Sequence, residues 1–153
     1  MNTEYEIAMR VALDHAKLAA SAGDVPVGAV VIYKHEIIAA RHNEREALSD
    51  PTAHAEVLAL RDAAAVLGTW YLDECTLVVT LEPCIMCAGA LINARIQTLV
   101  FGAADLKGGA TSSLYNVCAD PRINHNPVVV NGVLQHESAE LLKNFFEPKR
   151  AGN

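Results

Sequence analysis

Hydrophobic and polar positions follow two different periods along this chain. Apolar residues at helical spacing predict an opening helix over residues 3–22 and a last helix over about 135–147. Shorter, more continuous apolar runs, bounded by Gly, Pro, Asn and Asp, predict strands. Five such strands are expected, at 27–33, 37–42, 76–81, 97–101 and 128–130.

Two further helices are predicted between these strands. Asp50 and Pro51 are typical of a helix start, and the periodic pattern continues over 53–67. Pro83 predicts the start of the next helix, over about 83–94. Alternation of strands and helices in the middle of the chain favours right-handed crossovers and a parallel core. The predicted fold class is α/β: a three-layer α/β/α sandwich with a mixed sheet of about five strands, helices on both faces and an antiparallel hairpin at one edge.

Composition and charge narrow the class of protein. The 153 residues suit a single domain, expected over 1–153, and contents of 52% hydrophobic and 20% charged residues exclude a disordered chain. No apolar run approaches the ~18 residues that a membrane helix needs, so we expect no membrane partner. The start M-N-T-E-Y-E has no apolar signal region, which predicts a cytoplasmic protein. A formal net charge of −6 disfavours binding of nucleic acid through overall charge but allows a local basic patch.

Two short segments carry residue types that bind metal. Cys84 and Cys87 form C-x-x-C at a predicted helix start, where both thiols share one side of the first turn and the N-terminus favours thiolates. Two thiolates are half of a tetrahedral zinc site. His54, at the start of its own helix, is the best third ligand, and three protein ligands leave one position open, as catalytic zinc requires.

Glu56 lies two residues after His54 and is predicted to be a proton shuttle, not a ligand. Residues two apart are separated by roughly 200° on an ideal helix, so the two side chains converge only if His54 lies in a loosely wound first turn. Bound zinc lowers the pKa of its water towards about 7, and a nearby carboxylate can accept the proton. Such a site suits hydrolytic attack on an aromatic amidine carbon.

Other interpretations of the cysteines stay open at this stage. C-x-x-C also occurs as a thioredoxin-like redox pair, which has no partner His-x-Glu. It is also half of a structural zinc site, in which Cys75 or Cys118 is a possible fourth ligand. Both of these cysteines fit better as small buried hydrophobic residues.

The sequence resembles the zinc-dependent nucleobase deaminases, whose signature is H-x-E followed by P-C-x-x-C. Within that superfamily it is most similar to the bacterial tRNA-specific adenosine deaminases, over nearly the whole chain. The matching stretches are V-P-V-G-A-V at 25–30, D-P-T-A-H-A-E at 50–56, T-L-E-P-C-I-M-C-A-G-A at 80–90 and V-F-G-A-A-D at 100–105.

The resemblance implies a role for each matching residue. His54, Cys84 and Cys87 would hold one zinc ion per subunit, and Glu56 would move protons to the ring nitrogen and the departing amine. The substrate-binding residues would be an Asn that contacts the base, two apolar walls of the pocket, an acidic residue beside the nucleic acid and an aromatic residue that closes the pocket: Asn43, Val27, Leu81, Asp105 and Phe146.

The activity implied is hydrolysis of adenosine to inosine at the wobble position of a tRNA anticodon, with release of ammonia, by a homodimer. The partner would be the anticodon loop, because single-stranded bases are easily splayed out. The basic residues available for phosphate contact are scattered: Arg45, Arg95, Lys107, Arg122, Lys143, Lys149 and Arg150.

Two alternative functions remain open from the sequence. One is a free-base or nucleoside deaminase of the same fold that acts on guanine or cytosine. It is mildly favoured by the acidic charge, whereas T-L-E-P-C and the loop over 102–112 favour the tRNA enzyme. The other is a non-enzymatic, zinc-stabilised binding module, for which Glu56 would have no use.

Overall fold

The computed structural model describes residues 2–151, with side chains up to Glu147. Residues 1, 152 and 153, and the side chains of Lys149 and Arg150, therefore lie outside the described part, and the single domain over 1–153 stays a prediction. The helices are α1 (Thr3–Ser21), α2 (Arg45–Leu48), α3 (Ala55–Leu67), α4 (Ile85–Asn93) and α5 (Gln135–Ala151), with one 3-10 turn at Val117–Ala119. The strands are β1 (Gly28–Tyr33), β2 (Glu36–His42), β3 (Cys75–Leu81), β4 (Thr98–Ala103) and β5 (Val128–Val130).

The strands form one mixed sheet in the order β2-β1-β3-β4-β5. β1 is antiparallel to both of its neighbours, whereas β3, β4 and β5 are parallel. β2 therefore runs in the same direction as β3, and the carboxyl ends of both strands lie at the same end of the sheet. The predicted five-stranded mixed sheet with an antiparallel hairpin at its edge is confirmed. The sequence also predicted a run of parallel strands, and β1, which runs in the opposite direction, lies within that run.

Helices cover both faces of the sheet, which confirms the three-layer prediction. β1 is buried on both sides, with Ala29 and Val31 in one core cluster and Val30 and Ile32 in the other. Side chains of α3 and α4 complete the first cluster, and side chains of α1 and α5 complete the second. Within the residues described, none of the helices combines the length and apolar character needed to cross a lipid bilayer.

The predicted helix start at Asp50 and Pro51 is wrong. Asp50 Oδ1 accepts hydrogen bonds from the backbone N–H and the hydroxyl of Thr52, both at 2.8 Å, and so closes a local turn. α3 begins at Ala55, whose N–H donates at 2.8 Å to Oδ1 of Asn43. The cap thus comes from a residue twelve positions earlier in the chain, which local sequence reasoning does not detect.

The start of α4 also differs from the prediction. The helix begins at Ile85, two residues after Pro83, and Cys84 is its extended N-cap residue. The short helix α2 was not predicted, since four residues have little helical stability of their own. Both differences lie just after the carboxyl end of a strand, since α2 follows β2 and α4 follows β3.

Candidate active site

The three predicted metal ligands come together at the carboxyl ends of β2 and β3. His54 and Cys84 are the N-cap residues of α3 and α4, and neither side chain makes a capping hydrogen bond. Cys87 lies in the first turn of α4 and is fully buried. One ligand atom from each residue lies within 4.8 Å of the other two, and none of the four cysteines forms a disulfide. Among the described residues, this is the group that could hold a metal ion.

The geometry of these donors fits zinc. On a tetrahedral zinc ion, the usual Zn–S and Zn–N bond lengths place a sulfur and a nitrogen about 3.6 Å apart. The Sγ atoms of Cys87 and Cys84 lie 3.5 and 3.7 Å from Nδ1 of His54. Two sulfurs and one imidazole nitrogen leave the fourth tetrahedral position without a protein ligand, as in catalytic zinc sites.

Electrostatics distinguish Cys84 from the other three cysteines; the hydrogen bond to Cys84 and burial raise the pKa of Cys87. The pKa of Cys84 falls to about 3, because the Cys87 thiol and then His54 hydrogen-bond to it. Cys84 is therefore a thiolate, which is the form that binds metal. Burial raises the pKa of Cys75 and of Cys118 to about 11, so both remain thiols within the core cluster beneath α3 and α4. Neither belongs to the metal-binding group.

Glu56 meets the geometric condition set by its spacing from His54. Because His54 is an extended N-cap residue with φ −75° and ψ 149°, it lies outside the helix and turns towards the cysteines. Glu56 lies in the first turn of α3, is 4% exposed and lines the same cavity as His54 and Cys84. Burial raises the pKa of Glu56 above its ordinary value.

The cavity at this site has a volume of about 130 Å³, below the roughly 300–1,000 Å³ of pockets that enclose whole small molecules. It therefore suits one base more than a complete nucleoside. Most of the predicted site residues line it, and three further residues do so as well. The lining is Val25, Val27, Asn43, Arg45, His54, Glu56, Leu81, Glu82, Cys84 and Asp105.

Asn43 links two parts of the cavity wall through its side-chain amide. Its Nδ2 donates to the Val25 carbonyl at 3.1 Å, and its Oδ1 accepts from the N–H of Ala55 at 2.8 Å. An amide has two N–H donors and two lone pairs, so one of each is left over from these bonds. Asn43 is thus held rigidly while it can still bind a base.

Asp105 lies on the loop over 104–113, which is organised around a buried carboxylate that sequence reasoning missed. Glu82 is 2% exposed and accepts hydrogen bonds from four backbone N–H groups and one hydroxyl: those of Asp105, Thr111, Ser112 and Ser113, and the Ser113 side chain. Only glycine fits at position 109, because a Cβ there would lie 2.2 Å from the carboxyl carbon of Glu82. The available signal was an acidic residue between a buried strand and Pro83.

Of the five predicted substrate-binding residues, Phe146 is the one that the structure does not bring to the cavity. It lies on α5, is 37% exposed and packs edge-on against Phe145, and it is absent from the cavity lining. Val25 and Arg45 were not predicted to line the cavity, and nothing local in the sequence distinguishes them from other residues near a turn.

The protein is a mixed α/β/α sandwich that has His and Cys donors at two helix N-termini, beside a buried Glu. These features define a protein of the nucleobase deaminase class. Comparison with known proteins agrees. The chain matches the MafB19-like deaminase family over residues 3–150. A relative from Bacillus subtilis (strain 168), named tRNA-specific adenosine deaminase, is 47% identical over 148 residues, or 97% of this chain and 92% of the relative.

Solved structures show the same similarity. One, from a study of A-to-I editing by tRNA:A34 deaminases at the wobble position, has a TM-score of 0.86 and 43% identity, covering 89% of this chain and 99% of that one. A guanine deaminase from Nitrosomonas europaea has a TM-score of 0.79 and 27% identity, covering 92% and 83%. The chain therefore belongs to the MafB19-like deaminases and, among them, to the tRNA-specific adenosine deaminases.

Proposed function

We propose that this chain is a zinc-dependent hydrolase that converts adenosine to inosine at the wobble position of a tRNA anticodon. The observation that carries the proposal is the buried carboxyl group of Glu56, which shares a cavity with His54 and Cys84. A structural metal site has no use for such a group, whereas a hydrolytic deaminase needs a proton carrier. The relative named tRNA-specific adenosine deaminase points to the substrate.

In the proposed reaction, water adds to C6 of adenine and ammonia leaves. When bound by His54, Cys84 and Cys87, zinc supplies the Lewis acidity that makes water a nucleophile at neutral pH. Glu56 takes the first proton from the water as its oxygen bonds to C6, and delivers this proton to N1 of the ring. Glu56 then takes the second proton from the hydroxyl on C6 and gives it to the amine, so that the C–N bond breaks, ammonia leaves and the C6 carbonyl of inosine forms. A pKa raised by burial suits this role, because it makes the carboxylate a stronger proton acceptor than an exposed one.

The remaining site residues are proposed to hold the base. Val27 and Leu81 line the cavity as apolar walls, and Asn43 binds the base edge through its free donor and lone pair. Asp105 contacts the nucleic acid at the rim, and Phe146 stacks near it. The small cavity favours a base splayed out from a single-stranded loop, as in an anticodon. We propose the cytoplasm as the location, because that is where tRNA is found.

The similarity favours this function over deamination of a free base. The guanine deaminase shares the fold at 27% identity, whereas the relative named for tRNA shares 47% over nearly the full length of both chains. The experiment that tests the assignment offers the purified, zinc-loaded protein an arginine tRNA with adenosine at the wobble position, its anticodon stem-loop, free adenosine, guanine and cytosine. We expect inosine only at the wobble position. Turnover of a free base with both RNAs unchanged would show that the substrate is a free base, and the proposed metal chemistry would still apply.

We further infer that the protein forms a homodimer through the outer surface of α3 and α4. A groove of about 360 Å³ lies there, lined mostly by apolar residues that include Val57, Leu60 and Ala90. Trp70, at its edge, is 66% exposed, and Val66 is 62% exposed. Exposed apolar side chains gathered on one face are typical of an interaction surface.

We therefore expect Trp70→Glu to convert the protein from dimer to monomer at micromolar concentration, since a carboxylate would be buried unpaired in the interface. Sedimentation velocity measures the change. Leu18→Glu is the matched control, because Leu18 is 53% exposed on α1, across the sheet. A wild-type protein that sediments as a monomer, or a Trp70 variant that stays dimeric, would remove this surface from consideration.

A further inference from the structure

The cavity has one cationic residue at its mouth. Among the described residues that line it, Arg45 is the only Lys or Arg, and it is exposed. Within the described part of the chain, its guanidinium makes no hydrogen bond and no ion pair. By contrast, Arg41 is paired with Glu44 and Asp62, and Arg122 is paired with Asp120. A free guanidinium beside a binding cavity is available for a ligand.

The fold holds Arg45 in place with contacts from distant residues. Arg45 begins the four-residue helix α2, which is too short to be stable alone. Asp24, only 2% exposed, accepts a hydrogen bond from the N–H of Glu46 at 2.9 Å. The N–H of Asp50 donates to the Arg45 carbonyl at 3.1 Å and closes the other end of the helix. A buried carboxylate thus anchors the segment that carries the exposed cation.

Carboxyl groups predominate among the ionisable residues that line the interior of the cavity. The other ionisable lining groups, apart from His54 and Cys84, are the carboxyls of Glu56, Glu82 and Asp105. Glu44, which precedes Arg45, is paired with Arg41 and so does not neutralise it. The cavity, at about 130 Å³, has room for a base, so a phosphate attached to the nucleoside would remain at the mouth, where the exposed Arg45 lies.

We propose that Arg45 binds a phosphate that flanks the target adenosine, and that this contact selects a nucleotide within an RNA strand over a free base or nucleoside. The guanidinium fork matches the oxygens of a phosphate and is always charged. The inference rests on the proposed function, because it assumes that the substrate is RNA.

The test compares Arg45→Ala with wild type on the anticodon stem-loop. We expect KM to rise by about tenfold to a hundredfold, because a charge-assisted contact is lost, with kcat unchanged at saturation. The slope of log KM against log salt should fall by about 0.7, which corresponds to one phosphate contact on a single strand. Arg10→Ala is the matched control: Arg10 is exposed on α1 and lies outside the cavity lining, and KM and slope should stay as in wild type. Bound zinc should be the same in all three proteins.

A modified stem-loop tests whether the effect of Arg45→Ala comes from the loss of contact with one phosphate. In this stem-loop a phosphate next to the target adenosine is replaced by a neutral methylphosphonate, on each side in turn. Wild type should lose activity with one of the two to the same extent as Arg45→Ala loses it on the native stem-loop, and Arg45→Ala should lose nothing more. If wild type deaminates the stem-loop and Arg45→Ala has the same KM, or if the two changes add, the assignment of Arg45 is wrong. If wild type leaves the stem-loop unchanged, the proposed function itself fails.

Discussion

Glu56→Gln should lower kcat by about 10²–10⁴-fold and leave bound zinc unchanged, because the amide has the same shape but cannot accept or deliver a proton. Glu56 is buried at 4% exposure in the wall of the cavity, beside the metal-binding group but outside it. Single-turnover inosine formation on the anticodon stem-loop measures the chemical step, and metal analysis of the same sample measures zinc.

Cys87→Ala provides the control for this prediction. Cys87 is fully buried and its Sγ lies 3.5 Å from Nδ1 of His54, so its removal takes one donor from the metal site. This variant should lose both zinc and activity, whereas Glu56→Gln should lose activity alone. Normal turnover by Glu56→Gln would exclude the shuttle role, and loss of zinc from that variant would mean that Glu56 helps to hold the metal.

Glu82→Gln should lower the free energy of unfolding by about 2–4 kcal/mol and loosen the loop over 104–113. Replacing the carboxylate brings an amide NH₂ against the N–H donors of Thr111, Ser112 and Ser113, which then have fewer acceptors. Hydrogen exchange should become faster at these three amides in the zinc-loaded protein. Glu74→Gln, an exposed change beside the other end of β3, should leave both measurements unchanged.

The effect of Glu82→Gln should also depend on pH. Burial by itself raises the pKa of Glu82, but hydrogen bonds from Ser113, Asp105 and Ser112 outweigh burial and place the pKa below its ordinary value. A depressed carboxyl pKa stabilises the folded state above the pKa of the unfolded chain, and this stabilisation is lost as pH falls through the folded pKa. The stability difference between wild type and Glu82→Gln should therefore shrink below about pH 4. A constant difference at neutral and acid pH would show that the charge of Glu82 does not stabilise the loop.

The sequence predicted the elements whose stability is local or comes from a continuous apolar face. The five strands and the long helices occur close to their predicted bounds, because burial of their apolar residues is visible as periodicity. The starts of α3 and α4 were misplaced because they depend on partners far along the chain. Asp50 has the composition of a helix cap but closes a turn with Thr52, and Asn43 caps α3 instead.

The candidate site likewise combines residues that a local pattern predicts with residues that only distant contacts distinguish. His54, Cys84, Cys87 and Glu56 were predicted as site residues from residue types and spacing, since these residues are unusual in combination, and the structure brings them together. Glu82 was not predicted, because acidic residues near turns are common and only its surroundings distinguish it. Arg45 was one of seven scattered basic residues, and its place in the cavity lining distinguishes it from the others whose side chains the structure describes. Phe146 was predicted from the resemblance alone, and the structure leaves it outside the cavity lining.

The sequence by itself determined the class of fold and the donor set, because apolar periodicity and the metal-binding motif are properties of short segments. Only the tertiary structure decided how these segments combine. The reversed strand β1 lies between β2 and β3, so that these two strands end at the same end of the sheet and deliver His54 and Cys84 to one point. It also decided that Glu82 is enclosed by a loop whose donors lie 23 to 31 residues further on and that Asp24 anchors α2. Such contacts join residues far apart in sequence, and their energy depends on burial that no local pattern records.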